Sequence, residues 1–342
     1  MITIIIAGGA GTRLWPLSTY DRPKQVLNLL DGESTLHKSY LRAKKISSEV
    51  YVMPEKRLIG QVREILPDLS QDHILIEPAL RGTASCYVLA LDQMMRKHSP
   101  QEPVAFIWAD HHVRDEVGYI NSFRMATDAA VRLKRLITIG VEPTYPGPLG
   151  YIERGKQIID SNAYSVKSFK EKPEPKLATE YIRSGNYLWN TGYYVGTLET
   201  FISKIEKHSP ILYKNYQKLS QIKNINSQKY HDTYLAFTNT TIELALSEKM
   251  DDLAVVPALF DWIDIGNFKD LHDVSWQDQA GNHVEGKNIF ELDTSNSYLR
   301  NEEAKPLAVL GVDNVIVVNT PDGILIARRD MAPRVGEIVR KL

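Results

Sequence analysis

Cysteine is almost missing from this chain. Of 342 residues only Cys86 carries a thiol, which excludes an internal disulfide and a Cys-rich zinc site and fits a reducing cytosol. An excess of one charge is missing too. The 41 Lys and Arg stand against 42 Asp and Glu, a net charge of −1, with no long basic run to hold a nucleic acid. No apolar run reaches the ~20 residues that cross a bilayer. The start of the chain lacks the basic segment and long apolar core of a signal peptide. Its apolar residues Ile2 to Ala7 therefore read as a buried first strand, and a cytoplasmic protein is expected. Also absent are a Gly-x-Ser-x-Gly elbow, the protein-kinase signatures and zinc-ligand spacings.

What remains, 43% hydrophobic and 24% charged, is ordinary for a globular protein and long enough for one large and one small domain. Short apolar runs alternate with longer amphipathic ones. The pattern predicts strands over 3–7, 50–53, 74–76, 104–109, 136–141, 166–169, 193–196 and 254–257. It predicts helices over 35–45, 56–66, 83–97, 119–133, 174–184, 198–207 and 242–247. This alternation implies a doubly wound, mostly parallel, Rossmann-like α/β domain over residues 1–273. In such sheets ligands lie at the carboxyl ends of the strands. From 274 to 342, short β-type runs broken by Gly, Asn and Asp predict a small β-rich domain that closes in a short helix. The polar stretch 217–230 reads as a helix or a solvated excursion.

The first strand runs into Gly8-Gly9-Ala10-Gly11-Thr12-Arg13-Leu14. Glycines let backbone N–H groups approach a phosphate, and Arg13 can fork two phosphate oxygens. Lys24, in Arg22-Pro23-Lys24-Gln25, supplies a second cation. This is neither of the two common phosphate loops. A P-loop needs Lys-Ser/Thr after its last glycine, and the dinucleotide fingerprint needs a third glycine where Leu14 stands.

Asp110 ends the strand over 104–109 and so faces the ligand crevice. His111 and His112 follow it; neighbours on an extended chain point opposite ways, and both read as loop residues. Asp264 lies in Asp261-Trp262-Ile263-Asp264-Ile265-Gly266. Asp110 and Asp264 are expected to converge with substrate phosphates on Mg²⁺, which keeps several waters and rarely uses a full protein cage. In Phe169-Lys170-Glu171-Lys172-Pro173, Lys172 can pair with a substrate phosphate and Glu171 can accept from sugar hydroxyls. Asn190-Thr191-Gly192 and Gly150-Tyr151-Ile152-Glu153 add amide, hydroxyl and backbone contacts of the kind a polyhydroxylated ligand needs. Read singly, each piece is also a plain turn, cap or solvated charge run.

The parts describe a triphosphate meeting a second phosphate. A phosphate monoester, with a second pKa of about 6, is largely ionised at neutral pH. Its attack on phosphorus needs no general base, only charge neutralisation and in-line placement.

In their order these residues resemble the sugar-nucleotide pyrophosphorylases, and most closely the mannose-1-phosphate guanylyltransferases. Carrying the resemblance are the segment Gly8 to Ser18 with Pro23-Lys24-Gln25, Glu77-Pro78 with Arg81-x-Thr83-Ala84, Ala109-Asp110-His111, Gly150 to Glu153, Phe169 to Pro173, Asn190-Thr191-Gly192, and Asp261 to Gly266. The resemblance implies GTP plus α-mannose 1-phosphate giving GDP-mannose and pyrophosphate, with Mg²⁺. It places Arg13 and Lys24 on the triphosphate and Asp110 and Asp264 on the metal. It sets Gly150, Glu171, Lys172 and Asn190 on the sugar phosphate. Ala7, Gly8, Gly9, Gly11, Thr12, Glu77, Arg81, Thr83 and Ala84 come out around the nucleotide. It also implies that the β-rich tail is a left-handed β-helix and that the protein forms a homodimer. There are departures: Gly82 stands where the family usually has Asn, Pro148-Leu149 precede Gly150, and Trp108 replaces a smaller residue. Two alternatives therefore stay open, a pyrophosphorylase for another sugar 1-phosphate or NTP, and a non-catalytic regulator that binds GDP-mannose. No cupin-like isomerase module follows, and no isomerase activity is expected.

Overall fold

Strand Ile2–Ala7 is buried along its whole length, as a strand covered on both faces must be. In the computed structural model, which describes residues 1–9, 11–30 and 32–342, it lies parallel to Glu49–Pro54 on one side and Pro103–Trp108 on the other. The full sheet has eight strands in the order Glu49–Pro54, Ile2–Ala7, Pro103–Trp108, Tyr187–Thr197, Ile137–Val141, Ala254–Pro257, Tyr164–Lys170, Gly150–Gln157. Tyr187–Thr197 and Tyr164–Lys170 run against the other six. The sheet is thus mostly parallel, as the alternation predicts.

The strand expected over 193–196 extends over 11 residues, Tyr187–Thr197. Its register shifts between Asn190 and Tyr194, and Gly192 there has φ +73°. Such a bulge bends the strand and re-aims its side chains. Before the bulge the strand pairs with Gly150–Gln157; after it, with Pro103–Trp108. The expected strand over 74–76 is reduced to isolated bridges at Ile74 and Glu77. Helices Pro210–Ser220 and Gln228–Leu235 take in the ends of the polar stretch over 217–230.

The chain divides into two compact units. The first holds Met1–Gly8, Ser39–Ala109 and Val113–Trp262; the second holds Gly9–Lys38, Asp110–His112 and Ile263–Leu342. The boundary expected at 273/274 is a boundary in sequence, whereas these units are assembled from separate segments. In the first, the sheet carries a core in which Tyr87 stacks on Phe106 at 3.9 Å.

In the second, His283–Gly286, Tyr298–Asn301 and Val315–Thr320 stack in parallel, and Ile289–Leu292 stacks on Leu307–Leu310. This coil-on-coil pairing is that of a β-helix. Asn288, Asp293, Asn296 and Asn314 have positive φ, a conformation that Asn and Asp tolerate best among residues with a side chain. Leu14, Leu17, Leu27 and Leu29 share one core with Phe268, Tyr298, Ile316, Val318, Leu325 and Val335. The glycine-rich segment is thereby packed on the β-helix, each fully buried Leu contributing about 1.5–3 kcal/mol.

Gly323 (φ +149°) lies under Trp15; a Cβ there would stand 2.7 Å from the indole ring. Gly323→Ala is expected to destabilise the protein by about 1–3 kcal/mol through overpacking. Urea unfolding of the variant beside the parent measures this, and an unchanged midpoint would contradict the packing.

Candidate active site

In the second unit, Gly11 has φ +59° and opens a tight turn over Thr12–Leu14. A Cβ at Gly11 would stand 2.6 Å from Ser18 Oγ and 3.1 Å from the Lys24 backbone nitrogen, so only glycine lets the loop close there. Gln25 Nε2 donates to the Gly9 carbonyl at 3.4 Å. Ala10 lies outside the described residues. His111–His112, read from sequence as loop, is instead a two-residue strand antiparallel to Ile263–Asp264, with His111 opposite Asp264. That pairing brings Asp110 and Asp264 to one place.

Between them lies Lys24, almost fully buried. Its Nζ is 2.8 Å from Asp110 Oδ2 and 3.0 Å from Asp264 Oδ1, and it donates to the Ile265 carbonyl at 3.0 Å. An ammonium has three donors, and three acceptors meet it. Burial alone would lower the Lys24 pKa, but the two carboxylates raise it above its ordinary value. Burial likewise opposes ionisation of Asp264, and the charges of Lys24, His111 and Arg13 hold its carboxyl well below the usual range. Lys24, expected on the triphosphate, is thus placed on the carboxylates.

The ammonium supplies the positive charge at this point. Two hard oxygen donors that converge within 3.0 Å of one positive centre fit a divalent ion that completes its shell with water and phosphate oxygens. Arg13 lies beside this cluster: its Nη2 is 3.2 Å and Asp270 Oδ2 3.3 Å from where a Cβ on Gly266 would be. Asp270 accepts from the Gly266 N–H at 3.0 Å and the Asn267 amide at 2.6 Å. Sequence reasoning missed Ile265, Asn267 and Asp270. The available signal was the helix-start pattern Asn267-Phe268-Lys269-Asp270, in which Asn267 caps the helix Phe268–Val274. Thr12 packs against the closing helix Val335–Val339, its Oγ1 3.3 Å from where a Gly336 Cβ would be.

In the first unit, Gly8 follows Ala7 at the end of the first strand. A Cβ on Gly8 would lie 3.5 Å from Glu77 Oε2. Glu77 is 1% exposed. Its Oε1 accepts from the Tyr234 hydroxyl at 2.7 Å and the Arg81 N–H at 3.3 Å, while Oε2 is buried without a hydrogen-bond partner among the described residues. Burial pushes the carboxyl pKa up; the Tyr234 and Arg81 donors and the nearby Cys86 thiol oppose this. Thr83 and Ala84 are engaged by the chain itself: Thr83 Oγ1 accepts from the Ile242 N–H, and the Ala84 N–H donates to the Thr240 carbonyl. Gly82 has φ +77°, and a Cβ there would stand 2.2 Å from the Thr240 carbonyl oxygen. The departure at position 82 therefore follows from this close approach.

The residues assigned to the sugar phosphate meet in the same unit. A Cβ on Gly150 would stand 2.8 Å from Glu171 Oε2 and 3.2 Å from the Asn190 Cβ. Asn190 Oδ1 accepts from Thr138 Oγ1 at 2.7 Å, and its Nδ2 donates to the Tyr194 hydroxyl at 3.3 Å. Lys172 has φ +44°; its N–H donates to the Leu149 carbonyl, and its ammonium lies 3.3 Å from Glu171. Trp108 Nε1 donates to the Gly192 carbonyl at 3.1 Å, which only glycine permits at so short an approach. A separate group, His208, Asp251 and Asp252, clusters within 4.8 Å, but its carboxylates pair with Lys204 and Lys207.

Comparison with known proteins identifies the family. Residues 2–281 match the nucleotidyl transferase family, and residues 287–342 match the MannoseP isomerase/GMP-like beta-helix domain. The chain is 32% identical over 360 residues to a mannose-1-phosphate guanylyltransferase of Escherichia coli, covering 100% of this chain and 75% of that protein. It is 33% identical over 355 residues to one from Salmonella montevideo, covering 100% and 74%. A crystal structure from Thermus thermophilus, described as a mannose-1-phosphate geranyltransferase, superposes with a TM-score of 0.88 at 28% identity, over 99% of this chain and 98% of that one. This chain belongs to the nucleotidyl transferase family, in the branch of the mannose-1-phosphate guanylyltransferases, and is an enzyme of that class.

Proposed function

We propose that the protein joins GTP and α-mannose 1-phosphate to give GDP-mannose and pyrophosphate. The observation that carries this reading is the buried Glu77 carboxylate beside Gly8, whose Oε2 takes no N–H or O–H donor among the described residues and has only the Cys86 thiol near the carboxylate. A buried acceptor without a donor is costly, about 1–3 kcal/mol. Guanine offers N1–H and N2–H₂ on one edge and so satisfies it. Adenine presents no such ring N–H there.

Arg13 neutralises the triphosphate, and the glycine turn supplies backbone N–H groups to it. Asp110 and Asp264 would hold Mg²⁺, and the Lys24 ammonium between them holds the two side chains together in its absence. A bound Mg²⁺ supplies charge neutralisation on the phosphate oxygens. Lys172 pairs with the phosphate of the sugar 1-phosphate, and Glu171 and the Gly150 backbone take its hydroxyls. The ionised sugar-phosphate oxygen attacks the α-phosphorus in line; a new P–O bond forms, the bond to the β-phosphate breaks, and pyrophosphate leaves with that electron pair. No proton transfer is needed at that oxygen.

Pyrophosphate release across a panel of GTP, ATP, UTP and dTTP with mannose and glucose 1-phosphates tests the assignment. Release is expected with GTP and mannose 1-phosphate. Release only with another pair would move the substrate and keep the reaction; GDP-mannose binding without release from any pair would favour a regulator. Glu77→Gln turns an acceptor toward a donor and is expected to lower kcat/KM for GTP by about 10–100-fold, the worth of hydrogen bonds to a charged group. The preference for GTP over UTP and ATP should narrow with it. An unaltered preference would remove Glu77 from base selection.

A further inference from the structure

The turn Ile242–Ala245 with Ser247–Lys249 carries no motif that the reaction requires, yet three of its side chains bear on the sugar-phosphate residues. Glu248 Oε1 accepts the backbone N–H of Glu171 at 2.8 Å. Ser247 Oγ donates to the Tyr194 hydroxyl at 2.7 Å, and that hydroxyl also accepts the Asn190 amide at 3.3 Å. Ser247 and Tyr194 are each 2% exposed, so these bonds do not exchange with water. Glu243, 8% exposed, belongs to the same cluster.

We propose that this turn is the positioning element of the sugar-phosphate subsite, with Glu248 fixing the main chain of Glu171 and Ser247 fixing Asn190 through Tyr194. The inference rests on the assignment of Glu171 and Asn190 to the sugar. Glu171 comes at the end of strand Tyr164–Lys170, just before Lys172 with its left-handed backbone. A main chain so placed needs its amide held if the carboxylate is to keep one direction. A single carboxylate oxygen from the turn does this.

Glu243 gives the element a pH signature. Burial and the charge of Glu171 push its carboxyl pKa up to about 7, while its own backbone, Lys172 and Thr241 act the other way. Tyr194 and Tyr87, each raised well above its ordinary value by burial, also face it. Below pH 7 Glu243 is neutral; above it a second negative charge stands beside Glu171. The folded state holds this proton more tightly than the unfolded chain, so its effect on stability sets in above the ordinary carboxyl value of 4.5 and grows as pH rises to about 7. Glu243→Gln should therefore raise Tm more at pH 8 than at pH 5.

The test is the affinity of GDP-mannose relative to GDP, read by calorimetry, in wild type, Glu248→Ala, Glu248→Gln and Glu243→Gln. Glu248→Ala is expected to lower that ratio about tenfold, the worth of one charge-assisted hydrogen bond, with GDP affinity unchanged. Glu248→Gln keeps a carbonyl acceptor and should restore most of it. GDP-mannose affinity in wild type should fall as pH rises through 7 and stay level in Glu243→Gln. A ratio unchanged in Glu248→Ala, or GDP and GDP-mannose weakened alike, would overturn the inference. Wild type that prefers GDP-mannose yet releases no pyrophosphate fails the catalytic reading and leaves this one standing.

Discussion

A buried ammonium held between two carboxylates organises the second unit of this protein. Lys24, Asp110 and Asp264 come from three distant stretches of sequence, and each would be costly to bury without the others. Removing one partner from such a group typically costs about 3–5 kcal/mol, because a charge is left uncompensated. The hydrophobic core beneath them, from Leu14 and Leu17 to Tyr298 and Val335, fixes the segments that deliver the charges. The β-helix therefore does more than extend the chain: it is the surface on which the glycine turn and the lysine are mounted.

The same demand that buried polar groups find partners separates scaffold from site. Around Glu77, Oε1 is engaged by Tyr234 and Arg81, and Oε2 has no partner among the described residues. Thr83 has its hydroxyl taken by the backbone of Ile242. The first arrangement leaves an acceptor open among the described residues; the second holds the helix Thr83–Met95 against its neighbour. Equal proximity in sequence thus conceals different duties, and only the hydrogen-bond partners tell them apart.

Much of this was legible in the sequence. The alternation of apolar runs located every strand of the large sheet but one, and Asp110 and Asp264, read from the sequence as a converging pair, do meet, at Lys24. Strand Gly150–Gln157 was not legible as a strand, because its second half, Arg154-Gly155-Lys156-Gln157, is polar. The first half of Tyr187–Thr197 was hidden by Asn190-Thr191-Gly192, which reads as a turn and is a bulge. His111–His112 gave no strand signal because two residues carry no period; their pairing is set by Ile263–Asp264. The engagement of Lys24 by the carboxylates depends on that same long-range pairing. The reach of Glu248 to Glu171, which lie 77 residues apart in the chain, is likewise set by the fold and not by any local pattern.

If one carboxylate pair serves the Lys24 ammonium and a divalent ion in turn, the two compete for it. Mn²⁺ titration without nucleotide, followed by electron paramagnetic resonance on wild type and Lys24→Met, tests this directly, Mn²⁺ favouring the same oxygen ligands as Mg²⁺. The account predicts that the variant binds Mn²⁺ about tenfold or more tightly, since the two charges it leaves unpaired seek a cation. Equal or weaker Mn²⁺ binding by a folded Lys24→Met protein would contradict it.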